Sequence, residues 1–217
     1  MASRANLLAS VFGPVLVFCA ITNAQAQAPA VTGDVTRGKA LAYTCNGCHA
    51  IPNYKNVYPT YSVPKLHGQR PEYLLSALKA YKSGERSHGT MHSQATSMNE
   101  QDMADVAVFL AGPEVLTASK NDVPADQRPK ASEVCLACHG TNGVGITADY
   151  PTIAGQHRDY MVRALHDYQK GGRKNPVMAG MAATLTPQDI EQLAAYYSSQ
   201  KPSLSVVPKK TSFLSSN

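Results

Sequence analysis

The sequence predicts an all-α chain made of two tandem copies of one small domain, and three observations carry that reading. Residues 63–91 match residues 150–178 without a gap, at a constant offset of 87 that pairs Pro64 with Pro151, Gly68 with Gly155, Tyr81 with Tyr168, Arg86 with Arg173 and Met91 with Met178. Each copy places apolar residues at helical spacing, and neither shows the period-two alternation of a half-buried strand. Each copy also opens on a Cys-x-x-Cys-His run, "CNGCH" and "CLACH". These runs are offset by 90 (Cys45 and Cys135), so the first copy carries three extra residues within "AIPNYKNVYPTYS".

The elements follow in order. Residues 1–28 have one basic residue, Arg4, an apolar stretch from Leu7 to Ile21 and a small-residue ending, "NAQAQA". That is the layout of a secretory signal peptide, with cleavage expected after Ala26 or Ala28. Gly13 and Pro14 interrupt an apolar run already short of the roughly 20 residues that a spanning helix needs. Cys19 leaves with the leader, so the other four cysteines all sit in the two Cys-x-x-Cys-His runs. The formal charge of +5 falls to +4 without Arg4, the remaining Lys and Arg are scattered, and Trp is absent, which argues against nucleic acid as a partner.

Domain 1 is read as residues 29–112, a linker as 113–126 and domain 2 as 127–200. In each, a helix is expected to run into the Cys motif (about 34–45 and 127–135), and a middle helix to follow a Gly/Pro/Tyr-rich loop (71–82 and 158–170). A second loop then carries Met91 or Met178, and a last helix closes the domain. The last helices have clear start signals: Asn99 followed by acidic residues, and Thr186 followed by Pro187. The Ser/Pro/Lys tail, 201–217, reads as disordered. Lys209 and Lys210 within it are the residues expected to make any peripheral contact with an acidic membrane surface. Domains this small are marginal on their own and usually need a staple or an embedded prosthetic group.

The Cys-x-x-Cys-His runs point to that group. Two thiols one helical turn apart can form thioethers to one haem, and the adjacent histidine can then bind its iron. Cys45, Cys48, Cys135 and Cys138 are therefore the expected attachment points for two haem c groups, one per domain, with His49 and His139 as iron ligands. A four-thiolate zinc site would have to combine Cys pairs from separate repeat units. A thiol redox pair normally accompanies a βαβ pattern, which is absent. Two tight disulfides would leave the paired histidines unexplained.

The sixth ligand separates carrier from catalyst. Met91 and Met178 are the only methionines matched between the copies: Met98 and Met103 align with Leu185 and Ile190, Met161 with Leu74, and Met181 with Gln94. Thioether ligation opposite histidine raises the potential and fills the coordination sphere, which favours electron transfer. The segment "SHGTMHS" also offers His88 and His92, which would lower the potential of the first haem if either replaced Met91. Arg86 and Arg173, with Gln69 and Gln156, are expected either to neutralise haem propionates or to lie in solvent. Tyr81 and Tyr168 are expected to pack.

The combination "CNGCH … VPKLHGQ … YKSGER … TM … MNEQDMADVAVFL" with "CLACHG … YPTIAGQ … YQKGGRKNPVM … LTPQDIEQLAAYY" resembles the bacterial diheme cytochrome c4 family over residues 34–200. The resemblance implies two class I cytochrome c domains about a pseudo-twofold axis, each wrapped around one covalent haem. It implies His49/Met91 and His139/Met178 as axial ligands, with the Pro64 and Pro151 carbonyls orienting the imidazoles. It further implies a periplasmic electron carrier, not an enzyme, that takes electrons from a quinol-oxidising complex or a dehydrogenase towards a terminal oxidase through transient contacts with redox partner proteins. The competing readings are a diheme peroxidase with one open iron and an obligate cytochrome subunit of a dehydrogenase complex. The sequence departs from the family pattern mainly in the first half, where the loop after His49 lacks glycine and Gly89-Thr90 stands opposite Pro176-Val177.

Overall fold

The computed structural model describes residues 30–117 and 123–208. The expected leader with Cys19, part of the linker, and Lys209 and Lys210 lie outside the described residues. Among those described, the regular structure is helical, with only isolated bridges such as Lys55 to Ser62 outside the helices. No helix among them is long and apolar enough to cross a membrane.

Domain 1 runs α1 (Val35–Leu41), α2 (Tyr43–His49), α3 (Pro71–Ser83), α4 (Gly89–Thr96) and α5 (Glu100–Ala111). The Asp34 side chain caps α1 by accepting from the Thr36 and Arg37 amides. A break at the buried Ala42 turns the expected single helix into α1 and α2. Helix α1 lies against α5 at very close range, because a Cβ on Gly38 would fall 2.0 Å from the Asp105 carbonyl oxygen. Only glycine allows that approach. Buried Asp105 fastens the crossing by accepting from the Asp34 amide (2.8 Å) and the Gln101 side chain (2.8 Å) and by pairing with Arg37. Leu74 and Leu78 of α3 meet Met103, Val106, Ala107 and Leu110 of α5 to form the core.

Domain 2 repeats the plan with α6 (Leu136–His139), α7 (Arg158–Gln169), α8 (Pro176–Ala183) and α9 (Pro187–Ser199). Its core joins Met161 of α7 to Leu193, Ala194 and Tyr197 of α9. The expected helix over 127–135 is not formed: two 3-10 turns, Ala125–Gln127 and Lys130–Ser132, take its place. Pro129 is the reason, since it removes an amide donor and forces Arg128 into extended backbone (φ −110°, ψ 146°). The methionine segments also differ from expectation, being the helices α4 and α8 and not loops. The start signals of the last helices hold: Asn99 with Asp102, and Thr186 with Asp189, form reciprocal capping boxes.

The tail departs most from its sequence reading. Residues 201–208 are packed, with Leu204 and Val207 buried. The Leu204 amide donates to Ala154 of domain 2, Ser205 exchanges two bonds with His67 of domain 1, and the Val207 amide donates to the His49 carbonyl (3.1 Å). A Ser/Pro/Lys-rich composition conceals two apolar side chains, and their burial decides the conformation.

The domains face each other across an approximate twofold relation. Arg86 and Arg173 form an antiparallel backbone bridge, flanked by bonds from Ser87 to Gly172 and from Lys174 to Glu85. Both arginines are buried, as are Gln69 and Gln156, so none of the four is the solvent-facing residue that composition allowed.

Candidate functional site

Helix α2 carries Cys45, Cys48 and His49 on a single helical segment, and α6 with its N-cap Cys135 carries the equivalent set. Both histidines are buried, His49 at 8% and His139 at 6% exposure. The Nδ1 atom of His49 lies 2.9 Å from the Pro64 carbonyl oxygen, and that of His139 lies 2.9 Å from Pro151. A carbonyl only accepts, so each Nδ1 bears the proton and each Nε2 keeps its lone pair, the tautomer required of a metal ligand. Burial pushes both imidazoles below their ordinary pKa, against the opposing pull of the carbonyl, and so favours the neutral form.

The cysteines do not have the character of an exchange-active pair. None of the four is paired in a disulfide. Burial pushes the Cys45 thiol up and raises Cys135 to about 11, whereas redox-active Cys-x-x-Cys pairs need a lowered value. The two pairs also stay in their own domains, and no three His, Cys, Asp or Glu side chains among the described residues converge on a metal position.

In domain 1, Cys45, Cys48, His49 and Met91 line one cavity, walled by apolar Leu66, Leu74, Leu78, Val106 and Leu110. Arg86 closes its polar side, and the Arg86 Nε is buried without a hydrogen-bond partner. An apolar slot with thiols and an imidazole at one wall, a thioether at another and an unsatisfied guanidinium N–H at the edge fits a flat, propionate-bearing porphyrin. Met91 belongs to α4, whose N-cap His88 accepts the Met91 amide at Nδ1 (3.2 Å). Met178 holds the same place on α8, with the Asn175 side chain accepting its amide (2.9 Å). Met103 and Met161 are core residues and Met98 packs against the core, while Met181 is 42% exposed. His92 is exposed, with Nδ1 2.8 Å from the Tyr81 carbonyl oxygen. His88 has Nδ1 committed to the α4 cap and Nε2 3.3 Å from Asn56 Oδ1.

Several residues of consequence were not visible in the sequence. Tyr160 accepts from Arg86 (2.5 Å) and Arg173 (3.2 Å) through its hydroxyl, between the two domains. Burial pushes this phenol up, but the two guanidiniums outweigh it and hold Tyr160 below the usual tyrosine value. The hydroxyl of its repeat counterpart Tyr73 accepts from Arg86, at 3.4 Å. Ser62 binds Asp159 across the same interface through its amide (3.0 Å) and hydroxyl (2.9 Å). The constant offset flags Tyr73 with Tyr160 as a pair, but nothing in the chain says that paired positions face each other.

Two helical units of this kind, each presenting Cys-x-x-Cys-His with a carbonyl-anchored imidazole, define a tandem c-type cytochrome with two covalently attached haem c groups. The cytochrome c family model matches residues 35–112 and again 130–201. Cytochrome c4 of Pseudomonas aeruginosa is 31% identical over 178 residues, covering 76% of this chain and 87% of that protein. A thiosulfate dehydrogenase electron acceptor of Stutzerimonas stutzeri is 28% identical, covering 80% of this chain and 87% of its own. The crystal structure of reduced recombinant cytochrome c4 from Pseudomonas stutzeri superposes with a TM-score of 0.61 at 27% identity, covering 78% of this chain and 100% of that one. The chain belongs to the cytochrome c family and, within it, to the diheme cytochrome c4 family, and it is an electron-transfer cytochrome.

Proposed function

We propose that the protein is a periplasmic shuttle that receives electrons from a quinol-oxidising complex or a dehydrogenase and delivers them to a terminal oxidase or another acceptor, without catalysing a reaction of its own. In this reading Cys45 and Cys48 anchor one haem and Cys135 and Cys138 the other, with His49/Met91 and His139/Met178 as axial ligands. The observation that carries it is the repeated arrangement of a carbonyl-held histidine and a methionine on a side-chain-capped helix, present in both copies. A c-type haem supplies a one-electron ferric/ferrous couple.

The residues of the chain do the rest. Pro64 and Pro151 fix the plane and tautomer of each imidazole. Helices α4 and α8 present a thioether that would hold the haem iron, so little rearrangement would accompany transfer. Arg86 and Arg173, bridged by Tyr160, place buried positive charge between the domains, where propionates would be neutralised. Encounters with partners need only a small, transient contact. The resemblance to a thiosulfate dehydrogenase electron acceptor favours a dehydrogenase as one donor.

The test is a reductive titration of holoprotein followed by mixing with oxidase-bearing membranes. Uptake of two electrons per chain, and reoxidation only when membranes are present, supports the shuttle. Steady consumption of hydrogen peroxide by the isolated protein would support the peroxidase alternative.

A further inference from the structure

We propose that His88, held in place by Asn56, is the positioning residue for Met91, so that the hairpin peculiar to the first copy governs the methionine side of the first haem alone. The proposal rests on the reading of Met91 as an axial ligand. Helices α4 and α8 are equivalent, yet they start differently. Helix α8 has Asn175, a strong capping residue, with Pro176 at the first helical position, where its fixed φ is already helical. Helix α4 starts with Gly89 and Thr90 behind His88, which is outside the group of good capping side chains. Gly89 adds conformational freedom that has to be lost when the helix forms. The frame of Met91 therefore depends on how firmly the His88 ring is held.

Four contacts engage it. Its Nδ1 accepts the Met91 amide, so the network assigns the ring proton to Nε2, which donates to Asn56 Oδ1 at 3.3 Å. The rings of Tyr61 and Tyr81 meet the imidazole edge-on, with centroids at 6.5 and 6.3 Å. Asn56 and Tyr61 both come from the hairpin in the first copy's longer loop, where the Asn56 amide donates to the Tyr61 carbonyl (2.9 Å) and the Lys55 to Ser62 bridge closes the turn. Asn56, Tyr61, His88 and Met91 all line the cavity that contains His49. Both nitrogens of His88 are engaged, which makes it a support for the methionine and not a rival to it.

The experiment uses holoprotein carrying His88→Ala, His88→Asn or Asn56→Leu, with Asn175→Ala to mark the haem of domain 2. The readouts are the two reduction potentials, the methionine-to-iron charge-transfer bands and the affinity of each ferric haem for imidazole. His88→Ala is expected to lower one potential and to tighten imidazole binding at that haem about fivefold, the effect of losing one helix cap. His88→Asn restores most of the loss, Asn56→Leu reproduces part of it at the same haem, and the haem marked by Asn175→Ala is untouched. Wild-type potentials and bands in both His88→Ala and Asn56→Leu would overturn the proposal while leaving Met91 as ligand. Absence of the methionine-to-iron signal from the haem of domain 1 in the wild type would instead overturn the ligand reading, and the proposal with it. If His88→Ala yields no holoprotein, Asn56→Leu decides: a shift confined to one haem supports the proposal, and none overturns it.

Discussion

Gln69 and Gln156 hold each other's domains by the same pair of hydrogen bonds. The Gln69 amide donates to the Thr152 carbonyl (2.8 Å) while its oxygen accepts the Thr152 amide (2.8 Å). Gln156 treats Lys65, the repeat counterpart of Thr152, in the same way at 2.9 and 3.0 Å. Each side chain thereby substitutes for a short piece of sheet edge, and the reciprocity realises the twofold relation in hydrogen bonds.

Replacing either glutamine by leucine removes its two inter-domain bonds, and a third to the next residue's amide, and strands buried backbone groups of the other domain. The cost is expected to be about 2 kcal/mol for each variant. In urea, the unmodified holoprotein is expected to unfold in one transition and each variant in two as the domains uncouple, followed by far-ultraviolet circular dichroism and haem absorbance together.

Acid should weaken the α1–α5 crossing. The Asp34 amide, the Gln101 side chain and Arg37 hold the Asp105 carboxyl below the usual value of 3.8. A lowered carboxylate stabilises the fold above its unfolded pKa and loses that contribution as the pH falls through its folded pKa. Domain 1 should therefore lose stability below about pH 4, and Asp105→Asn should flatten that dependence. Thermal melts of both proteins at stepped pH check it.

Ending the chain at Gln200 should weaken domain 1 more than domain 2, although the tail follows domain 2 in sequence. The deletion removes Val207 from the domain 1 core and the bonds to His67 and His49. Loss of a buried valine and leucine is expected to cost about 3 kcal/mol. Hydrogen exchange should show the added mobility around His49 and His67, with α9 protected as before.

What the sequence disclosed tracks how local its cause is. Start signals at Asn99 and Thr186 depend on neighbours three residues away, and both caps are present. The matched offset selects Met91 and Met178, and their equal placement on α4 and α8 follows from the repeat. Failures arise where the deciding contact comes from the other domain. Arg86, Arg173, Gln69 and Gln156 are polar residues in polar segments, and only the facing domain buries them. Leu204 and Val207 are apolar residues in a short Ser/Pro/Lys-rich stretch, and their partners, Ala154 and His49, lie far away in the chain. In domain 2 the expected leading helix was lost to a local cause that periodicity overlooked, the backbone restriction imposed by Pro129.

The central claim is that both irons are closed by histidine and methionine. Its most direct test is to quantify haem per chain in the reduced holoprotein and then add carbon monoxide while recording the optical spectrum. The account predicts two low-spin haems per chain whose spectra do not change with the gas. A carbon monoxide adduct at one haem would contradict the closed electron carrier for that domain.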